Sequence, residues 1–433
     1  MTRTARPPKK SRLQNAIVGV QVFVCFASLI AVAFAVAPAT DDVFRFPKNL
    51  WVRGETIVLL ATWLIALLYG IRPTFTKADR PVLALAGAAV GWTWLSAVFA
   101  TNRLLSLNAA LWTTAIAMIY LTMYLIARDR RRLGDLWLLL GAAAVNAGVA
   151  ISQSAAFWNP FDFAPGTTRD QMITAFVGNP NELGAYLTVP FVVASCLMVS
   201  LPGRRWLYGI TAFICICGLF ASRTRSAMLA AIVGGFCLIA IASKRRVWAA
   251  AVIVAGCALI AAVVFFGGFV TTGDLQRFRT IDGLNAGLSY RVTPTLTAIR
   301  MFEDHPLLGV GPGVYSFEYF DYKIKVESEH PALFHRGQGY SNFGEAHDDH
   351  AQVLAELGLP GYLIFLAIFV WIASRSFRAT EDRDDIDHVV RLMAFPVAAA
   401  LFALCVFQFP LRVASSAVTV GFVLISIAGW TRQ

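Results

Sequence analysis

Twelve stretches of this chain stay apolar for about 20 residues each, long enough to cross the hydrocarbon core of a bilayer as a helix. They run near 16–37, 54–71, 81–100, 109–127, 136–158, 183–201, 206–222, 227–243, 247–270, 358–374, 391–409 and 413–430. In hydrocarbon every backbone N–H and C=O must find an internal partner, which leaves only helices and closed barrels as spanning structures. A barrel strand needs only about 10 residues, so runs of this length predict an all-α polytopic membrane protein with about twelve transmembrane helices. Composition agrees: 57% of residues are hydrophobic, only 15% are charged, and the mean hydropathy of +0.62 excludes a soluble globular domain. The first run follows MTRTARPPKKSR and is long for a signal peptide, with no small-x-small cleavage site before DDVFRFPKN, so it reads as a membrane helix. All seven cysteines (Cys25, Cys196, Cys215, Cys217, Cys237, Cys257 and Cys405) fall inside apolar runs, as packing residues do and disulfide or zinc frameworks do not.

The net charge of +11 is distributed in short clusters between the runs. That pattern suits cytoplasmic loops and lacks the continuous basic face of a nucleic-acid binder. Arg3, Arg6, Lys9, Lys10 and Arg12 hold the N-terminus inside. The alternate loops then carry Arg72, Lys77 and Arg80; Arg128, Arg130, Arg131 and Arg132; Arg204 and Arg205; Lys244, Arg245 and Arg246; and Arg375, Arg378 and Arg383. Opposite loops are poorer, although Arg45, Lys48 and Arg53 weaken the signal at the first. Both termini are therefore expected in the cytoplasm, with the one long hydrophilic segment outside. The expected organisation is nine membrane helices over 1–270, an extracytoplasmic loop over 271–356 and three more helices over 357–433. The loop holds five of the six histidines: His305, His330, His335, His347 and His350. Its many aromatics and the stripe Leu296, Ile299, Phe302 argue for order, with short surface helices over Val292–Glu303 and His347–Leu357.

Polar residues beside a bilayer are the natural functional candidates. ASRTRSAM (221–228) sets Arg223 and Arg225 in a tight outer turn, either as snorkelling side chains or as a grip for a diphosphate. FVGNPNELGAYL (176–187) brings Asn179, Asn181 and Glu182 to a helix entrance, where a Pro turn with a helix cap is the simpler reading and a polar cavity lining the sharper one. The glycines of HPLLGVGPG (305–313) could let backbone amides approach a phosphate, but a plain turn accounts for them as well. GEAHDDHAQVLAELG (344–358) places His347 and His350 three apart, so on a helix both rings would share one face. A metal pair, a general base and an ordinary charged surface all fit that spacing. The metal reading is the poorest, because HxxH with adjacent acids lacks the further ligands of a zinc site.

Four segments in this order resemble the O-antigen ligase and O-antigen polymerase family of bacterial membrane glycosyltransferases, over roughly the C-terminal two thirds of the chain. GNPNELGAYL is similar to the family's Asn-containing helix entrance, and SRTRSAMLAA to its SR-small-apolar turn. SYRVTPTLTAIRMFEDHPLLGVGPGVY resembles its R…hPLxGxGxGxF block, and AHDDHAQVLAELGLPG its AHNxxLQxLxExGxxG block. Asp348 stands where Asn is usual, His350 where an aromatic is common, and Ala351 where Leu is usual. Gln352, Glu356, Gly358 and Gly361 carry the rest of the match.

The resemblance implies a GT-C-like transferase whose catalytic residue is His347, acting on the acceptor hydroxyl. It implies that Arg223 and Arg291, with Arg225 beside them, hold the diphosphate of an undecaprenyl-linked glycan donor, and that Asn181, Asp348, Gln352 and Glu356 support them. His350 is not expected to share in catalysis. The implied reaction needs no cofactor or metal. The expected acceptor is lipid A-core for a ligase, the favoured reading, or a growing glycan for a polymerase. The expected location is the bacterial inner membrane, with the site facing the periplasm. A flippase or polysaccharide transporter is the alternative of another class. Such proteins usually carry internal repeats and a midplane site, whereas here the polar residues gather in one loop.

Overall fold

The structure is a computed structural model that describes residues 12–161, 173–243, 281–331, 343–377 and 384–431, with side chains in the third stretch described from residue 292. Every regular element among them is helical. Eight helices come first: α1 (Arg12–Phe34), α2 (Arg45–Leu68), α3 (Arg80–Val98), α4 (Arg103–Arg130), α5 (Leu136–Ser154), α6 (Pro180–Ser200), α7 (Arg205–Ala221) and α8 (Arg225–Ala242). The expected outer segment supplies α9 (Ile281–Asp304) and α10 (Tyr315–Glu329). Three helices close the chain: α11 (Asp349–Ala373), α12 (Asp385–Cys405) and α13 (Ala414–Trp430). Eleven of the twelve expected spans are thus helices, ten of them long and apolar enough to cross a membrane and α13 a little shorter. The expected ninth span, 247–270, lies outside the described residues.

Local chemistry sets several helix ends. Asn102, Asn179, Asp348 and Asp384 each cap a following helix through a side-chain oxygen that accepts an early backbone N–H, at α4, α6, α11 and α12. Pro180 sits at the first position of α6, where its missing N–H costs nothing. Helix α6 is the buried centre, packed on α7, α8 and α12, while α13 packs on α4 and α1 on α2. The outer faces carry exposed Phe23, Leu68, Leu104, Phe213 and Val370, as surfaces turned to lipid must.

The bundle has two polar ends. At one, Arg131 binds Asp387 at 2.8 Å and Asp384 at 3.4 Å, while Arg128 and the Tyr124 hydroxyl donate to buried Asp79 at 2.8 and 2.6 Å. Arginines that count toward the expected orientation in the sequence are therefore also clamps between loops. The opposite end gathers the α1–α2, α3–α4, α5–α6, α7–α8 and α12–α13 connections under α9 and α10. There the Thr101 amide donates to the Val310 carbonyl (3.0 Å), Ser106 Oγ to Pro312 (3.1 Å) and Thr224 Oγ1 to Pro180 (2.8 Å). Helix α10 was not anticipated. The expected helix Val292–Glu303 is the C-terminal half of α9.

Candidate active site

HPLLGVGPG turns out to be an anchor. Gly309, at φ +69°, lies so close to the Glu356 carbonyl that an added Cβ would sit 2.3 Å from the backbone, and Gly358, at φ +66°, stands in the same relation to the Leu307 carbonyl. Only glycine tolerates both the conformation and the approach. Three amides stitch the contact: Val310 to Ala355 (2.8 Å), Gly311 to Glu356 (3.1 Å) and Leu359 to Pro306 (2.8 Å). Gly309 and Gly358 thus serve the close packing of one backbone on the other. Gly358 breaks α11 into a buried amphipathic entry and the long apolar run after it.

That entry corrects the symmetrical view of the two histidines. His347 is not on the helix at all: it precedes the cap residue Asp348 and holds φ +58°, a left-handed conformation costing a side-chain-bearing residue about 1–2 kcal/mol. Arg223, in the α7–α8 turn, is likewise at φ +53°. Two of the five positive-φ residues other than glycine among the described residues are therefore site candidates, and strain of this kind clusters at functional sites. The His347 ring lies edge-on to Phe343 and Phe409. Its Nδ1 is 3.1 Å from the Glu345 carbonyl oxygen, which can only accept. In the neutral ring Nδ1 therefore carries the proton, and Nε2 is the basic nitrogen. His350 is buried in α11 among Tyr362, Phe365 and Phe402, with Nε2 3.1 Å from the Phe402 carbonyl and Nδ1 3.3 Å from the Tyr362 hydroxyl. The two rings face different neighbours and do not converge on one ion.

The supporting residues form a relay behind His347. Asp348 caps α11 by accepting the Ala351 amide at 3.0 Å; burial raises its pKa, and that hydrogen bond offsets the shift only in part. Buried Gln352 accepts the amide of Ala346 at 2.9 Å and donates to Glu356 at 3.0 Å. Glu356 and Asp349, both buried, share Arg412 at 3.0 and 3.3 Å. Burial would lower the pKa of Arg412, but the two carboxylates outweigh it and the net shift is upward.

His347 opens onto a cavity of about 170 Å³ lined also by Arg45, Asn179, Asn181, Glu182, Glu345 and Phe409. Arg45 and Lys48, which in the sequence only weaken the charge bias of the first opposite loop, both sit at this site. Arg45 donates to Glu182 through Nε at 2.9 Å, lies 3.6 Å from Glu345 and sits over the Phe409 ring at 5.9 Å. Lys48 is almost wholly buried, its ammonium donating to the Phe176 and Val177 carbonyls that shape the entry to α6. Two carboxylates on distant segments near the arginine that starts α2 were the available signal, but sequence separation hid it.

Arg223 and Arg225 are exposed at this same end, in the turn that packs on the start of α6. Gln408, which lines the cavity, donates to Ser226 beside them at 2.6 Å. Arg291 lies in α9 among the residues whose side chains are not described. Four positions on in the same helix, the Thr295 hydroxyl reaches the Ala346 carbonyl at 3.4 Å. The 407–413 segment walls the cavity from an apolar groove on its other side. That groove, about 520 Å³ at its upper part and 300 Å³ below, runs between α3, α4, α11 and α13 past Ala89, Ile116, Tyr120 and Phe365.

Residues 210–366 match a family model described as O-antigen ligase, a stretch somewhat over a third of the chain that runs from α7 through α8, α9 and α10 into α11. It takes in Arg223, Arg225, Arg291, His347, Asp348, Gln352 and Glu356, while Arg45, Asn181 and Glu182 lie before it. No curated protein sequence matches the chain.

Proposed function

We propose, from the match of residues 210–366 to a family model described as O-antigen ligase, that this chain transfers a glycan from undecaprenyl diphosphate to a sugar hydroxyl of lipid A-core. The reaction sits at the periplasmic face of the bacterial inner membrane, with both termini cytoplasmic and the 271–356 segment supplying the catalytic loop. The observation that carries this reading is the strained His347 turn. It holds a ring whose Nδ1 is committed to a carbonyl at the mouth of a polar cavity, on the bundle end that also bears Arg223 and Arg225.

The chemistry follows from those parts. Nε2 of His347 accepts the proton of the acceptor hydroxyl as its oxygen attacks the anomeric carbon of the donor. The bond from that carbon to the diphosphate oxygen breaks, its electron pair stays on the diphosphate, and the configuration inverts. Arg223, Arg225 and Arg291 stabilise the charge that grows on the leaving group, so the step needs no metal. Gln352 and Glu356 hold the His347 segment, and Asp348 fixes the helix start behind it. The apolar groove between α3, α4, α11 and α13 supports a lipid-linked substrate, whose polyprenyl chain would lie along it.

Reconstitution with a polyprenyl-diphosphate glycan tests this. A ligase forms lipid A-core carrying the glycan, a polymerase forms a longer lipid-linked glycan, and a flippase forms no new bond. The expected product is the first, formed equally well in EDTA. Bilayer translocation of the donor without a new glycosidic bond would overturn the reading.

A further inference from the structure

The cavity beside His347 is unlike a diphosphate site. Among the charged residues of its wall, one arginine faces two carboxylates: Arg45 against Glu182 and Glu345. Lys48, behind Glu182, is outside the lining and spends its ammonium on two backbone carbonyls. A diphosphate brought here would meet both carboxylates at close range, which favours the exposed arginines of the α7–α8 turn for that group instead.

One atom shows what the cavity lacks. Glu182 is 94% buried, and its Oε1 receives Arg45, yet Oε2 has no hydrogen-bond partner among the described residues. A buried carboxylate oxygen without a donor costs roughly 1–3 kcal/mol, so it marks a position where a ligand's donor belongs. The other wall groups suit the same ligand. Glu345 accepts, the side-chain amides of Asn179 and Asn181 both donate and accept, and Phe409 offers a ring face to an apolar C–H surface. A neutral, hydroxyl-rich pyranose has those features: hydroxyl donors around its rim and C–H faces above and below. The volume of about 170 Å³ is that of a single ring.

We infer that Arg45, Glu182 and Glu345 form the acceptor subsite, holding one uncharged sugar ring with its attacking hydroxyl toward His347. This deepens the transfer reading and rests on it. Glu182 Oε2 accepts a ring hydroxyl, Arg45 holds both carboxylates in place, and the excess of negative charge rejects a ring bearing phosphate or carboxylate. Specificity then comes from leaving a site's buried polar group unpaired when the wrong ligand enters.

The test uses the full-length protein in detergent with methyl glucoside, methyl galactoside and glucose 6-phosphate as probes, read by saturation-transfer NMR. This measures occupancy whether or not transfer occurs. Saturation transfer to at least one neutral glycoside, its loss in Glu182→Gln, and at least tenfold weaker transfer to the phosphorylated sugar are expected. Equal signals from the sugar phosphate, signals unchanged in Glu182→Gln, or no signal from either neutral glycoside would overturn the subsite. In reconstituted transfer the same variant should raise the acceptor KM at least tenfold and leave the donor KM within threefold; a rise confined to the donor KM refutes the assignment. A native protein that binds the neutral sugars but forms no glycosidic bond would refute the transfer reading and leave the subsite standing.

Discussion

Replacing Gln352 by Leu removes the relay that holds the His347 segment while keeping side-chain volume. In the native protein the Ala346 amide, fully buried, donates to Gln352 Oε1 at 2.9 Å, and Gln352 Nε2 donates onward to Glu356 at 3.0 Å. Leucine leaves that amide without its acceptor, at a cost of roughly 1–3 kcal/mol. The segment also carries the left-handed backbone of His347, about 1–2 kcal/mol above an ordinary conformation, which its surroundings must hold in place. The least costly response is for residues 343–347 to relax, because the helix beyond remains capped by Asp348. About 1.4 kcal/mol is a factor of ten in population, so the share of molecules with His347 in place should fall about 10- to 100-fold. Steady-state transfer by the reconstituted variant should show that loss in kcat, with both KM values within about threefold and melting lowered by only a few degrees. A native kcat in Gln352→Leu would refute the reasoning, and so would a loss fully explained by unfolding.

Other perturbations separate architecture from chemistry. Arg412→Met strands the buried carboxylates of Asp349 and Glu356 and should cost about 3 kcal/mol or more. Thermal melting checks this, and Arg412→Met combined with Glu356→Gln should recover part of the loss. Gly358→Ala forces a Cβ to 2.3 Å from the Leu307 carbonyl at a φ of +66°, so it should lower melting markedly and detach the 305–313 turn, visible as faster amide exchange at Val310 and Gly311.

What could be read in advance followed the physics of each signal. Hydrophobic runs of about 20 residues specify helices that face lipid, because a barrel strand needs only about half that length, and eleven of the spans appear where hydropathy put them. Helix α10 carries YSFEYFDYKIKVESE, too polar to register as apolar periodicity, yet its buried Tyr315, Tyr319 and Tyr322 seat it on the outer face of the site. The His347–His350 spacing suggested a shared helical face. A left-handed φ at a residue other than glycine is set by tertiary contacts, so the true start of α11 was not legible. Arg45 illustrates the converse failure. A positive-inside count treats each cation as a topological vote, and this one is held at the His347 end by Glu182 and Glu345, 137 and 300 positions away. The glycines of HPLLGVGPG were visible as special, but close backbone packing and phosphate contact demand the same residue.

The central claim is that His347 performs the proton transfer and His350 only packs. Glycan transfer from a polyprenyl-diphosphate donor, measured in single turnover on folded, reconstituted His347→Ala and His350→Ala proteins, tests it most directly. Loss of a positioned general base costs about 10²- to 10⁴-fold, so His347→Ala should fall at least that far, while His350→Ala stays within about tenfold of the native rate. Equal losses in the two variants, or transfer by His347→Ala near the native rate, would contradict the account.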